Sequence, residues 1–225
     1  MPASDPPLPD ALLTSPAIVP LPYAGGQAVT VIEGRLAGAL DQIRAPGCAA
    51  AIWQRDTAPQ VQSWIDALPA GKLPTLRGAI DAGDAGQVVD QACARAGLPM
   101  GAVREFLVRD TGLLASHFAR IMQNRSLHLR LDVVSGNACR KFHQDYVPAR
   151  LLCTYRGQGT EYGLAEGGID GVPLQVRRMQ TGWAALFRGR LWPGSEECGL
   201  VHRSPPIEGS GETRLLLVID LAETD

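Results

Sequence analysis

Near residue 126 the spacing of apolar residues changes from helical to alternating, and this change constrains the fold more than any other feature of the chain. Upstream, residues 102–122 place Val103, Phe106, Leu107, Leu113, Leu114, Phe118 and Ile121 on one stripe of a helix. Downstream, Leu127, Leu129, Leu131 and Val133 alternate with His128, Arg130 and Asp132, the pattern of a half-buried strand. A pattern with one period does not satisfy the other geometry, so the chain has to join a helical part to a β part.

The same reading extends along both parts. Helices are expected over residues 31–43, ending at Pro46, over 59–68, and over 86–96, ending at Gly97. Residues 48–53 read as a short apolar strand. Beyond 126, strands are expected over 147–155, 172–179, 183–187, 191–192, 199–202 and 214–221. Turn residues separate them, among them Gly157-Gln158-Gly159, Thr181-Gly182 and Pro193-Gly194. Several strands with short turns indicate a sandwich or barrel. The organisation is therefore α+β. A proline-rich irregular segment (1–28) precedes a single domain (29–225), which is mainly helical to residue 125 and a β-core from 126.

Composition narrows the function classes. A chain of 225 residues can bury most of its apolar surface. Its net charge of −2 excludes a global field that recruits nucleic acid or anionic membrane. The cysteines, Cys48, Cys93, Cys139, Cys153 and Cys198, contain no Cys-x-x-Cys pair and read as reduced small hydrophobes. The start, Met1-Pro2-Ala3-Ser4-Asp5, lacks the basic residue and apolar run of a signal peptide. A cytoplasmic protein is expected.

One pattern carries chemistry. His143 and Asp145 are two apart on a segment expected to be extended, so their side chains point to the same side and can converge on one ion. His202 follows 57 residues after Asp145, at the end of an expected strand. Two imidazoles and one carboxylate make the facial triad of non-haem Fe(II) enzymes, which leaves coordination positions open. A His-x-Asp spacing is weak evidence alone, and its ordinary reading is a strand-end histidine beside a turn aspartate. His128 reads as a sheet-face residue and His117 as a helix-packing one.

The C-terminal segment adds context. Thr181-Gly182-Trp183 opens a strand that runs to Phe187; Val201-His202-Arg203-Ser204-Pro205-Pro206 follows, and then Glu212-Thr213-Arg214 opens the last strand. This arrangement resembles the C-terminal half of Fe(II)/2-oxoglutarate-dependent oxygenases. The resemblance implies a double-stranded β-helix core of jelly-roll or cupin-like type, with His143, Asp145 and His202 as metal ligands. It also implies that Arg214 pairs with the distal carboxylate of 2-oxoglutarate, a task suited to a two-pronged guanidinium. The corner Arg203-Ser204-Pro205-Pro206 departs from the general pattern and makes Arg203 a rival partner for that carboxylate. Tyr155 and Arg150 compete for the second co-substrate contact; strand alternation puts Tyr155 with Cys153 and Arg150 on the opposite face.

A longer resemblance covers most of the chain. Residues 142–148, 150–161 and 202–206, with the run ending Ile52-Trp53-Gln54-Arg55, are similar to the family named domain of unknown function 1826. That family implies no established activity, and its context beside zinc-limitation genes in some bacteria implies a metal. Two readings of the site follow. One is an Fe(II)/2-oxoglutarate oxygenase, a hydroxylase of an unassigned small-molecule or peptide substrate. The other is a zinc-binding protein or metal-dependent hydrolase, because zinc binds such ligands more tightly than ferrous iron and Cys139 or Cys153 can add sulfur. A third, a β-barrel binding module, makes His143 and Asp145 structural.

Overall fold

The computed structural model describes residues 17–19, 26–166 and 171–222. Thirteen strands occur among them. Those of the N-terminal half are β1 (Ala17–Val19), β2 (Gln27–Ala28), β3 (Thr30–Gly34), β4 (Cys48–Trp53) and β5 (Leu76–Asp81). The C-terminal half adds β6 (Ser126–Val134), β7 (Ala149–Arg156), β8 (Glu161–Leu164), β9 (Arg177–Arg178), β10 (Ala184–Arg188), β11 (Glu197–Cys198), β12 (Leu200–Arg203) and β13 (Arg214–Leu221). Three α-helices, α1 (Pro59–Ala67), α2 (Ala85–Arg95) and α3 (Ala102–Met122), lie between β4 and β6. The fold is mixed α+β, and no helix is long and apolar enough to cross a membrane.

Eight strands form one sheet in the order β1-β3-β4-β10-β7-β13-β6-β5, and β12-β8-β9 form a second. All neighbours in the large sheet are antiparallel except β3 and β4, which run parallel. Strand alternation divides the large sheet into two faces. Leu129, Leu151, Cys153, Tyr155, Leu217 and Ile219 pack against Val89, Leu107, Leu114 and Phe118 of the helices. Leu152, Ala185, Phe187 and Val218 face the other way and pack against Tyr162 and Leu200 of the three-stranded sheet. The metal-site candidates lie on this second face.

Several sequence expectations fit closely: the strands at 48–53 and 214–221 and the helix at 102–122 have the bounds foreseen. Others need correction. The helix expected over 31–43 is instead β3 followed by a 3-10 helix, Ala37–Arg44. The β-branched Val31 and Ile32 pair between β1 and β4, and sheet pairing outweighs a local helical period. The N-terminal half is thus not wholly helical. It supplies five of the described strands, and β5 escaped notice because it carries Gly78 and has no fully buried residue. Most of the irregular segment 1–28 falls outside the described residues, but Ala17–Val19 within it is a strand. Of residues 172–179 only Arg177–Arg178 is strand, and 191–192 form a turn. Glu161 opens β8 and is buried.

Candidate metal centre

His143 and Asp145 sit on the irregular chain between β6 and β7, and His202 lies within β12. Two reciprocal backbone hydrogen bonds join the histidines: His143 N–H to the His202 carbonyl and His202 N–H to the His143 carbonyl, both 3.0 Å. This bridge fixes the two imidazoles side by side, with ring centroids 4.8 Å apart. Between His143 and Asp145 in the chain, Gln144 points the opposite way and donates to the carbonyls of Leu200 (2.9 Å) and Cys198. The alternation His-in, Gln-out, Asp-in therefore has a physical anchor on both sides.

The segment carrying Asp145 is docked from below. Gly189 N–H bonds the Pro148 carbonyl (2.9 Å) and Arg190 N–H the Asp145 carbonyl (2.9 Å). A Cβ at Gly189 would come within 2.0 Å of the Val147 carbonyl oxygen, so only glycine permits this approach.

Candidate ligand atoms of His143, Asp145 and His202 all lie within 4.8 Å of one another. His143 Nε2 is 3.6 Å from Asp145 Oδ1, and His202 Nε2 is 3.0 Å from Asp145 Oδ2. His143 Nδ1 sits 2.8 Å from the Lys141 carbonyl, which accepts its proton and leaves the Nε2 lone pair facing the carboxylate. Asp145 Oδ2 is buried without a hydrogen bond. An orphaned carboxylate oxygen beside two imidazole nitrogens fits a divalent cation, because the ion satisfies all three lone pairs at once. Burial pushes the Asp145 carboxyl up, but its contacts with His143 and His202 and the charge of Arg150 hold it well below the usual carboxylate range.

Arg150 braces the centre. It reaches Asp145 Oδ1 through Nη1 and grips Asp220 with Nε and Nη2, both at 2.7 Å. Alternation in the sequence separates Arg150 from Tyr155, and the structure gives Arg150 the triad's face. Asp220 was missed, since only the pairing of β13 with β7 sets it beside Arg150.

The triad opens into a cavity of about 110 Å³ whose lining includes His143, His202, Arg150, Arg203, Ser204 and Thr160. Arg214 lies behind this lining, wholly buried. Its Nε donates to the Gln158 carbonyl (2.6 Å), Nη1 to Ser204 Oγ (3.1 Å) and Nη2 to Thr154 Oγ1 (3.3 Å). Every one of these acceptors is neutral. Burial pushes its guanidinium down to about 10 despite the attraction of Glu212. Arg203 differs: its Nε donates to Glu161 (2.7 Å), and its guanidinium stacks 4.4 Å from the Phe142 ring.

The structure does not bring Tyr155 to the triad. Its hydroxyl donates to Asp110 on α3 (2.7 Å), in the core on the helical side of the sheet. Cys153 shares that face, and Cys139 lines the cavity mouth without joining the ligand group. No cysteine among the described residues adds sulfur to the three candidate ligands. Ser204 and Thr154, the hydroxyl partners of Arg214, carried no local signal in the sequence.

Residues 34–220 match the family described as protein of unknown function (DUF1826), and the chain belongs to that family. No curated protein matches its sequence. Solved structures similar to it include the dioxygenase for auxin oxidation from Arabidopsis thaliana in a 2-oxoglutarate complex, at 11% identity and TM-score 0.49, over 87% of this chain and 92% of that one. The rice dioxygenase for auxin oxidation aligns at 14% identity and TM-score 0.47, over 87% and 83%. A Pseudomonas putida prolyl-4-hydroxylase aligns at 15% identity and TM-score 0.39, over 85% and 97%. These scores lie below 0.5, and the chemistry of the centre rests on the chain's own residues.

Proposed function

We propose that this member of the DUF1826 family is a non-haem Fe(II)/2-oxoglutarate-dependent oxygenase that hydroxylates a substrate. One observation carries the reading: a His-Asp-His group opens into a cavity whose wall residue Ser204 is backed by a buried arginine, Arg214, with no carboxylate partner. A desolvated guanidinium is costly unless it meets an anion, and neutral acceptors leave that cost partly unmet. A small dianion with one end on the metal and the other on Arg214 resolves both needs.

His143, Asp145 and His202 would hold the iron, and Arg214 with Ser204 and Thr154 would hold the distal carboxylate of 2-oxoglutarate. Arg203, already neutralised by Glu161 and stacked on Phe142, is the weaker candidate for that carboxylate. Iron bound there would supply activation of dioxygen coupled to oxidative decarboxylation of 2-oxoglutarate. Leu152, Leu216 and Val218 give the cavity an apolar floor that excludes water from around the co-substrate. Arg150 keeps Asp145 ionised and oriented as a ligand.

The pairing pattern supports a double-stranded β-helix: β6, β13, β7 and β10 in one layer, and the His143 bridge, β12, β8 and β9 in the other. On this reading β1, β3, β4 and β5 are extensions of the first layer.

The test is anaerobic loading with Fe(II) followed by titration with 2-oxoglutarate, read by the visible metal-to-ligand charge-transfer band. One iron per chain and a saturable band are expected. Arg214→Lys, which keeps the charge but loses the fork, should weaken 2-oxoglutarate about 10–100-fold, the loss of charge-assisted hydrogen bonds. Ser204→Ala, a milder change, should weaken it by less. Zinc binding with no response to 2-oxoglutarate would overturn the assignment.

A further inference from the structure

On the triad's face the large sheet continues past the three-stranded sheet to β6 and β5. There it forms the floor of a second cavity, of about 600 Å³, a size that admits a metabolite. Arg77, His128, Arg130, Arg150 and Asp220 line it, with Val147 at one side. Arg130 and Arg150 also line the 110 Å³ cavity of the triad, so two guanidiniums are shared between the spaces. Along β13, Arg214 opens the strand and Asp220 lies near its other end. The larger cavity thus lies on the side of the triad away from Arg214.

Three features of this cavity ask for an anion. Arg77 and Arg130 are directly opposed on β5 and β6, an arrangement in which like charges repel. Their shared counter-charge is Asp132, 3.6 Å from Arg77 and 4.0 Å from Arg130, too far for a hydrogen bond to either. Arg130 Nε is moreover buried without any hydrogen-bond partner. Arg150 and Asp220, by contrast, satisfy each other through two bonds. The unspent guanidinium donors in the cavity therefore belong to Arg77 and Arg130.

We infer that Arg130 and Arg77 form an oxyanion subsite, and that the primary substrate is a small molecule carrying a carboxylate, phosphate or sulfate group. Its anionic end would rest between the two arginines, and the carbon to be hydroxylated would reach past Arg150 toward the triad. The role as substrate subsite rests on the oxygenase reading; the anion site itself does not. Arg214 does not line this cavity, so co-substrate and substrate would carry their charges at opposite ends of the centre.

The experiment uses the full chain loaded with zinc, which is diamagnetic and redox-silent, with and without saturating 2-oxoglutarate. Sodium sulfate and sodium acetate serve as probes at constant ionic strength, followed by the His128 ring resonances and by calorimetry. Saturable binding of at least one probe is expected, with the same affinity whether or not 2-oxoglutarate is present. A preference for sulfate points to a phosphate or sulfate ester, and a preference for acetate points to a carboxylate. Arg130→Gln should weaken the bound probe about tenfold, as should the exposed Arg77→Gln to a smaller degree, and Arg214→Lys should leave it unchanged. No saturable binding, displacement by 2-oxoglutarate, or full affinity in both Arg130→Gln and Arg77→Gln overturns the subsite. The charge-transfer titration is unaffected by these outcomes, so failure of the subsite and failure of the oxygenase reading are told apart.

Discussion

The two faces of the large sheet differ in how completely their buried charge is answered. On the helical face Arg55 from the end of β4 meets Asp110 of α3 in a two-pronged pair, with bonds of 2.5 and 2.7 Å. Tyr155 donates to the same carboxylate, Thr111 sits 3.3 Å from the Tyr155 hydroxyl, and Arg55 Nε is bonded to the Gly182 carbonyl at 2.8 Å. Burial and the charge of Asp110 push the Tyr155 phenol well above its usual value, so it stays a neutral donor. Each polar group there is answered by another. On the opposite face Asp145 Oδ2 and Arg130 Nε have no hydrogen bond, and Arg214 has no carboxylate. Satisfied buried polar groups hold a fold together, whereas unsatisfied ones in a cavity are kept for a ligand.

This contrast is open to direct attack. The largest effect is expected from Asp110→Ala, which leaves the Arg55 guanidinium buried and unpaired. A loss of about 3–5 kcal/mol in urea denaturation is expected. A loss under about 1 kcal/mol would show that the helical-face network is not a structural tie.

His143→Ala should do the reverse. Metal affinity should fall by more than about 100-fold in a chelator competition, since a lost ligand costs more than a lost outer contact. The metal-free protein should keep its stability to within about 1 kcal/mol, as expected where no satisfied network is broken. An unchanged metal stoichiometry would remove the centre from consideration.

Tyr155→Phe sharpens the comparison from a residue that the sequence made a co-substrate candidate. It should cost about 1–2 kcal/mol of stability by stripping one bond from Asp110, with 2-oxoglutarate affinity unchanged. Weaker 2-oxoglutarate binding in this variant would return Tyr155 to the site.

The smallest effect concerns pH. Burial raises the Glu161 carboxyl, and Arg178 and Arg203 more than offset it, so its folded value lies below the ordinary one. Such a group contributes stability above the unfolded pKa, and that contribution disappears as pH falls through the folded value. Thermal melts should therefore show a shallower acid loss for Glu161→Gln than for the natural chain below about pH 4.5. Equal slopes would mean that Arg178 and Arg203 do not hold this carboxylate in the folded protein.

Much of this was legible along the chain, for reasons of short range. Alternation at Leu127–Leu129–Leu131 needs only neighbours on one strand, and so β6 could be read with little error. The helix at 102–122 was equally plain because a 21-residue stripe outlasts local ambiguity. His143 and Asp145 were recognisable since two residues of extended chain always share a face. Where reading failed, a distant partner had decided the outcome. Val31 and Ile32 became strand because β4 and β1 lie beside them, and Tyr155 left the site because Asp110, 45 residues away, accepts its hydroxyl.

The sequence by itself determined the change of period at residue 126, the three candidate ligands, and the presence of an arginine at the start of the last strand. Only the tertiary structure decided that the Arg214 charge is buried among neutral acceptors while Glu161 takes up the Arg203 charge. It alone also set Arg77 opposite Arg130 beside a second cavity. The reason is that residue type and local spacing state which atoms can bind, whereas solvent exclusion and counter-charge come from segments far apart in the chain. Those two quantities govern whether a charged side chain is already satisfied or still open to a ligand.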